Sequence, residues 1–239
     1  MTGANYSRLH RGFEITAIAL VCLLSTGLLA RISLNAHSRA AWLVVMASAI
    51  SGYVLADFIS GMFHFACDRF GSVDIPYIGP NFIRPFREHH ADPEAITRHD
   101  FVETNGVNCM FSVPVLAGAY FVPLADGLWQ LFCVGVALFL CLSVLGTNQF
   151  HKWAHMRNPP AIARVLQRGR IILSVEHHRV HHTSPFDTYY CITTGWLNWP
   201  LEKMHLFPAL ERVVRAILDL PSPEGVEAMP HSTTIRQEL

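Results

Sequence analysis

Residues 40–65 read AAWLVVMASAISGYVLADFISGMFHF, an apolar run long enough to cross a bilayer with some tilt. It carries Asp57 and His64. An ionised carboxylate inside such a helix costs roughly 2.5–3.5 kcal/mol on insertion scales, so Asp57 has to face a partner or a cavity. Two readings stay open for it: an interhelical hydrogen bond and a functional group, weakly a substrate contact. With Gly61 between them, Asp57 and His64 share one face of the helix.

The rest of the chain agrees with a membrane class. Of 239 residues, 51% are apolar and 15% charged, which is richer in apolar and poorer in charged residues than an ordinary soluble domain. A formal net charge of zero gives no sign of a nucleic-acid partner. Six cysteines without a C-x-x-C pair argue against a disulfide framework and against a thiolate zinc site.

Three more apolar runs extend near 13–32, 107–124 and 128–150, the third interrupted by Pro114 and closed by Pro123. The first has the layout of a signal peptide but is long for one, and is read as a retained helix. The expectation is an all-α integral membrane protein with about four transmembrane helices and a cytoplasmic histidine-rich cap. Residues 1–12 are a cytoplasmic N-terminus, 13–220 one membrane unit, and 221–239 a polar, disordered tail. The 66–106 stretch, with Gly71, Pro76, Gly79, Pro80, Pro85 and Pro93, is too punctuated for one long helix. Residues 161–173, with Arg164, Arg168 and Arg170, suit an interfacial helix. Trp196, Trp199, Tyr189 and Tyr190 read as interfacial anchors. Four spans place every Lys and Arg except Arg31 and Arg39 on one side, which is therefore the cytoplasmic side and also the side of the histidine clusters.

Those clusters carry the chemistry. Glu176-His177-His178-Arg179-Val180-His181-His182 holds four histidines in six positions, and as a helix it aligns His177 with His181 and His178 with His182. His64 precedes Asp68 by four residues, His89 and His90 are adjacent, and His151 and His155 stand one helical turn apart. His64, His89, His90, His151, His155, His178, His181 and His182 are too many imidazoles for one tetrahedral ion, so two metals are the simplest reading. Asp68, His99, His177 and Asn148 are candidates for remaining positions. Glu88, Asp92 and Glu176 are candidates to orient ring N–H groups. His10, His37, His205 and His231 lack neighbours of this kind and read as surface residues. There is no H-E-x-x-H, and an imidazole-rich site suits iron and dioxygen chemistry.

Four blocks, ADFISGMFH (56–64), FIRPFREHHADPEAITRHDFVETNGVNC (82–109), TNQFHKWAH (147–155) and HHRVHHTSPFDTYYCITTGWLNWPLEK (177–203), resemble the Kua/CarF lipid desaturases over about residues 50–205. The resemblance implies a membrane di-iron enzyme with two iron ions and dioxygen as co-substrate, and no catalytic residues beyond the metal site. Its substrate would be a membrane phospholipid, with the vinyl-ether double bond of plasmalogens formed from an alkyl-ether phospholipid (plasmanylethanolamine). Electrons would come from a cytochrome b5-type or ferredoxin-type protein, in the inner membrane of a bacterium or the endoplasmic reticulum of a eukaryote. His178-x-x-His181-His182 fits the histidine boxes of wider membrane desaturases. His89-His90 does not: Phe86 stands where a leading histidine is expected, and Asp68 stands where a second histidine would follow His64. Alternatives are a fatty-acyl phospholipid desaturase or lipid hydroxylase on the same scaffold, and a histidine-rich metal transporter, whose ligands would line a path between the spans.

Overall fold

The computed structural model describes residues 8–76 and 78–221. Residues 1–7 of the expected N-terminal segment, nearly all of the expected tail, and His231 lie outside the described residues. Four long helices form the bundle: α1 (Arg8–Asn35), α2 (Arg39–Arg69), α4 (Phe101–Ala119) and α5 (Leu128–His155). Short helices α3 (Arg84–Ala91), α6 (Ala161–Arg168), α7 (Val175–His181), α8 (Asn198–Lys203) and α9 (Leu206–Ile217) complete it, and among the described residues there is no strand. The 66–106 stretch is indeed broken into short pieces, a π-turn over Gly79–Ile83, α3 and a 3-10 turn over Ala95–Arg98.

Capping residues set the helix starts. Ser38 accepts from the Ala41 N–H at the start of α2, and Asp100 accepts from the N–H groups of Val102 and Glu103 at the start of α4, each satisfying donors that a helix leaves open in its first turn. Asp100 also accepts from Arg11 of α1 at 2.7 Å, and that guanidinium, with the helix N–H groups, holds the carboxyl down to about 2.

α1 packs on α4 and α2 on α5, with α4 also against α5; α1 runs parallel to α4 and α2 parallel to α5. Small residues permit the close approach. A Cβ on Gly135 would lie 2.1 Å from the Ser48 hydroxyl, and one on Gly52 would lie 2.7 Å from the backbone of Leu140; helix pairs in membranes rely on such contacts because lipid offers no hydrophobic drive to bring them together. At one end of the bundle Glu14 meets Gly106. At the other, Arg31 donates to the carbonyls of Tyr120 at 2.9 Å and Val122 at 3.0 Å, closing the last turn of α4.

Three helices among the described residues, α1, α2 and α5, are long and apolar enough to cross a membrane. Length and composition do not confirm the expected fourth span. The third apolar run falls on α4, which travels the length of the bundle but has only 19 residues, and its first two turns carry Glu103, Thr104, Asn105 and Asn108, leaving a short apolar remainder. The helices also overrun the expected limits: α1 begins at Arg8, and α5 continues to His155. The C-terminal ends of α2 and α5, the N-terminal ends of α1 and α4, and the short helices all gather at one end, where the histidines are.

Gly135→Leu is expected to force α2 and α5 apart, costing about 1–3 kcal/mol. A thermal midpoint in detergent unchanged from the wild type would show that the contact is not needed.

Candidate metal centre

Four segments bring their side chains to one place. α2 supplies His64 and Asp68, α3 supplies His89 and His90, α5 supplies His151 and His155, and α7 supplies His178 and His181, with His182 capping it. The ring nitrogens form two groups, each drawn together within 4.8 Å: His89, His151, His155, His178 and His182 in one, His64, His89, His90 and His181 in the other. His89 belongs to both.

In the first group His178 Nε2 lies 2.9 Å from the Nε2 atoms of His151 and His155 and 3.0 Å from that of His182, while those of His151 and His155 are 3.0 Å apart. A ring nitrogen offers one proton or one lone pair, so shared protons cannot satisfy all of these approaches. Donors held about 2.0–2.1 Å from a common ion do sit roughly 3 Å apart. Beside the second group Asp68 Oδ2 lies 3.1 Å from His90 Nε2, 3.3 Å from His64 Nε2 and 3.5 Å from His181 Nε2. The Nε2 atoms of His64, His89 and His181 and the second Asp68 oxygen are buried without a hydrogen-bond partner, a costly arrangement for a protein and an ordinary one for metal ligands. The residues present fit two metal ions.

Tautomers are set from behind. His64 Nδ1 faces the Tyr190 carbonyl at 3.1 Å, His181 Nδ1 the Thr188 carbonyl at 2.7 Å, and His89 Nδ1 the Phe86 carbonyl. A carbonyl only accepts, so each Nδ1 carries the proton and each Nε2 turns a lone pair inward. Burial, reinforced by neighbouring imidazoles, pushes His89, His178 and His182 well below the usual histidine range, keeping them neutral. Phe86 thus serves the site with its carbonyl where a histidine box would place an imidazole. The carboxylates expected in this supporting role lie elsewhere: Asp92 pairs with Arg98 at 2.6 Å, Glu88 stands 3.9 Å from Arg84, and Glu176 is exposed in the first turn of α7. Backbone carbonyls orient the rings instead, a role that side-chain identity does not disclose.

Other expected residues are distributed as follows. His177 turns away from both groups, stacking on Tyr189 with ring centroids 4.9 Å apart. His99 Nε2 lies 3.6 Å from Glu103, and its carbonyl accepts from Lys152. Asn148 ties α5 to α4 by donating to the Thr104 carbonyl at 3.0 Å. Tyr190 is no interfacial anchor: it is 1% exposed and its ring lies 5.2 Å from that of His181, whereas Trp196 and Trp199 are exposed.

Asp57 is neither a substrate contact nor a simple interhelical pair. Its Oδ1 accepts from the N–H groups of Thr193, Thr194 and Gly195 at 3.2, 2.7 and 2.9 Å, and Oδ2 from Leu197 at 3.1 Å. Four charge-assisted bonds lock the loop after α7 against α2, with Gly195 at φ +76° making the turn that wraps the carboxylate. Asn198 secures the same loop, exchanging bonds with Cys191 N–H and C=O at 2.7 and 3.0 Å. Arg87 fastens α3 by donating to the carbonyls of Cys67 and Phe70 at the end of α2. Only the buried position of Asp57 hinted at any of this.

A cavity of about 470 Å³ opens beside His89 and His151, within the range of small-molecule sites. Ile59, Phe63, Phe86, Val107, Phe111 and Val144 give it apolar walls, and His10, Glu14, His99 and Glu103 line a polar part. His10, expected on the surface, stands here 3.4 Å from Glu14.

Comparison with known proteins bears on this geometry. Residues 53–222 match the family model described as lipid desaturase domain. The chain is 46% identical over 209 residues to plasmanylethanolamine desaturase of Myxococcus xanthus, covering 87% of this chain and 73% of that protein. It is 47% identical over 180 residues to plasmanylethanolamine desaturase 1 of Mus musculus, covering 73% of this chain and 66% of that protein. Chloroplastic fatty acid desaturase 4 of Arabidopsis thaliana is 33% identical over 174 residues, covering 68% of this chain and 49% of that protein. No solved structure matches.

Stripping metal with a chelator is expected to lower the thermal midpoint by at least about 5 °C, at roughly 2–4 °C per kcal/mol for a chain of this size; an unchanged midpoint would argue against a resident metal. Asp57→Asn turns an amide N–H toward backbone donors and is expected to cost about 1.5–3 kcal/mol, read as a lower midpoint, with reduced metal retention because the loop carrying the Thr188 and Tyr190 carbonyls loosens.

Proposed function

Because the chain belongs to the lipid desaturase family and is a membrane lipid desaturase, we propose that it forms the vinyl-ether double bond of plasmalogens from plasmanylethanolamine, using two iron ions, dioxygen and an external electron donor. The observation that carries this reading is a pair of imidazole groups sharing His89 and opening directly on a largely apolar cavity. The proposed ligands are His64, Asp68, His89 and His90 with His151, His155, His178, His181 and His182. Identity of 46–47% to the plasmanylethanolamine desaturases against 33% to the chloroplast enzyme favours an ether lipid over an acyl chain.

Two irons in this pocket would supply the oxidising power, drawn from dioxygen, that removes hydrogen from unactivated methylenes. Dioxygen becomes two waters with four electrons, two from the C–H bonds of adjacent carbons and two from a cytochrome b5-type or ferredoxin-type donor. The chain's own residues do the rest. Backbone carbonyls of Tyr190, Thr188 and Phe86 keep the Nε2 lone pairs of His64, His181 and His89 facing inward. Apolar side chains lining the cavity exclude water from the reacting carbons. The distribution of Lys and Arg across four spans supports a cytoplasmic position for this end of residues 13–220, taken as one unit.

The test is lipid analysis of cells lacking the gene, complemented by the wild type or by His181→Ala. Vinyl-ether lipids should disappear on deletion, return with the wild type and stay absent with the variant. A lipid profile indifferent to the deletion would sink the reading, and purified protein carrying zinc without iron would count heavily against it.

A further inference from the structure

Resting on the desaturase reading, we propose that Phe111, Phe82, Phe63 and Phe86 form a wall along which one lipid hydrocarbon chain slides from the bilayer to the histidines, and that Phe86 is the specificity-determining residue that fixes which carbons stop there. The four rings form an unbroken row. Centroids are 5.9 Å apart from Phe111 to Phe82, 5.8 Å from Phe82 to Phe63, 5.8 Å from Phe63 to Phe86, and 4.9 Å from Phe86 to the imidazole of His64. All four line the cavity beside His89 and His151. The outer end lies on the apolar exterior: Phe111 is 58% exposed, and Ile59, Phe63 and Met110 are also exposed large hydrophobic residues. An opening ringed in this way meets lipid tails, so a chain reaches it sideways without crossing water.

A hydrocarbon chain offers no hydrogen bond by which its register can be read, so a rigid steric stop has to set where it halts. Phe86 meets that requirement. Its carbonyl accepts from His89 Nδ1, which ties its backbone to the very ring whose Nε2 belongs to both histidine groups. Its side chain rests on the buried cluster of Ala154, Leu173 and Ile192, which spans α5 and the segments flanking α7. The ring is therefore held in place relative to the proposed ligands from both sides. Phe63 and Phe82 belong to different segments of the chain and give the row its direction without touching His89.

The test uses Phe86→Ala, Phe86→Leu and Phe111→Trp in the full-length protein, expressed in cells that make alkyl-ether phospholipid, with lipid products resolved by mass spectrometry for double-bond position and for added hydroxyl. Both Phe86 variants keep the backbone carbonyl, so bound iron serves as the check that the site is assembled. Shortening Phe86 should change the ratio of the native product to displaced or hydroxylated products by about tenfold, the scale at which lost methylenes alter selectivity in an apolar pocket. Phe111→Trp should slow turnover while leaving the double bond where it was. Iron-loaded Phe86→Ala and Phe86→Leu with the wild-type product distribution, at whatever rate, would overturn the assignment, as would a displaced double bond from Phe111→Trp. A wild type that forms no double bond at all would bring down the desaturase reading itself, and this placement with it; a normal wild type with unshifted variants brings down the placement alone.

Discussion

Eight imidazoles and one carboxylate turned toward each other in a water-poor interior have no stable arrangement among themselves. Each buried Nε2 needs a proton donor or a cation, and at His64, His89 and His181 the protein supplies neither. At His89 burial, reinforced by neighbouring imidazoles, disfavours resolving the conflict by protonation. A pair of cations would satisfy these atoms together and would hold the helix ends of α2, α3, α5 and α7 to the same centre.

Such a centre holds its shape only if its supports do not move. The protein achieves this with backbone more than side chains: carbonyls of Phe86, Thr188 and Tyr190 fix three rings, and four backbone N–H groups seize Asp57. Asp57 thereby solves two problems at once. Its carboxylate oxygens are satisfied inside an apolar helix, and the 193–197 loop is fastened to α2, so that the Tyr190 carbonyl stays against His64. Arg87 does the corresponding work for α3. Below this layer, glycine and serine contacts between α2 and α5 keep His64 and His151 within reach of one another, with ring centroids 5.9 Å apart.

The helical class, the membrane setting and the residue types of the centre were legible in one dimension. Apolar run length reports burial in lipid, and four histidines in six positions have no packing explanation. Whether the third apolar run completes a crossing was not legible, because α4 shares its apolar stretch with Glu103, Thr104, Asn105 and Asn108, and hydropathy alone does not say whether a helix beginning in polar residues spans a bilayer. Tyr190 and His10 were misplaced for a related reason: each has an amphipathic side chain that suits an interface as well as an interior.

What the sequence by itself determined was which donor atoms the protein has and that they lie near the ends of apolar helices, since both follow from composition and local spacing. Tertiary structure alone decided how the imidazoles divide into two groups sharing His89, that His177 is left out, that Asp57 holds a loop, and that an aromatic-walled cavity opens beside the histidines. The physical reason is that these outcomes depend on directions, of lone pairs, carbonyls and ring planes, contributed by segments far apart in the chain, and spacing along one segment carries no information about the orientation of another.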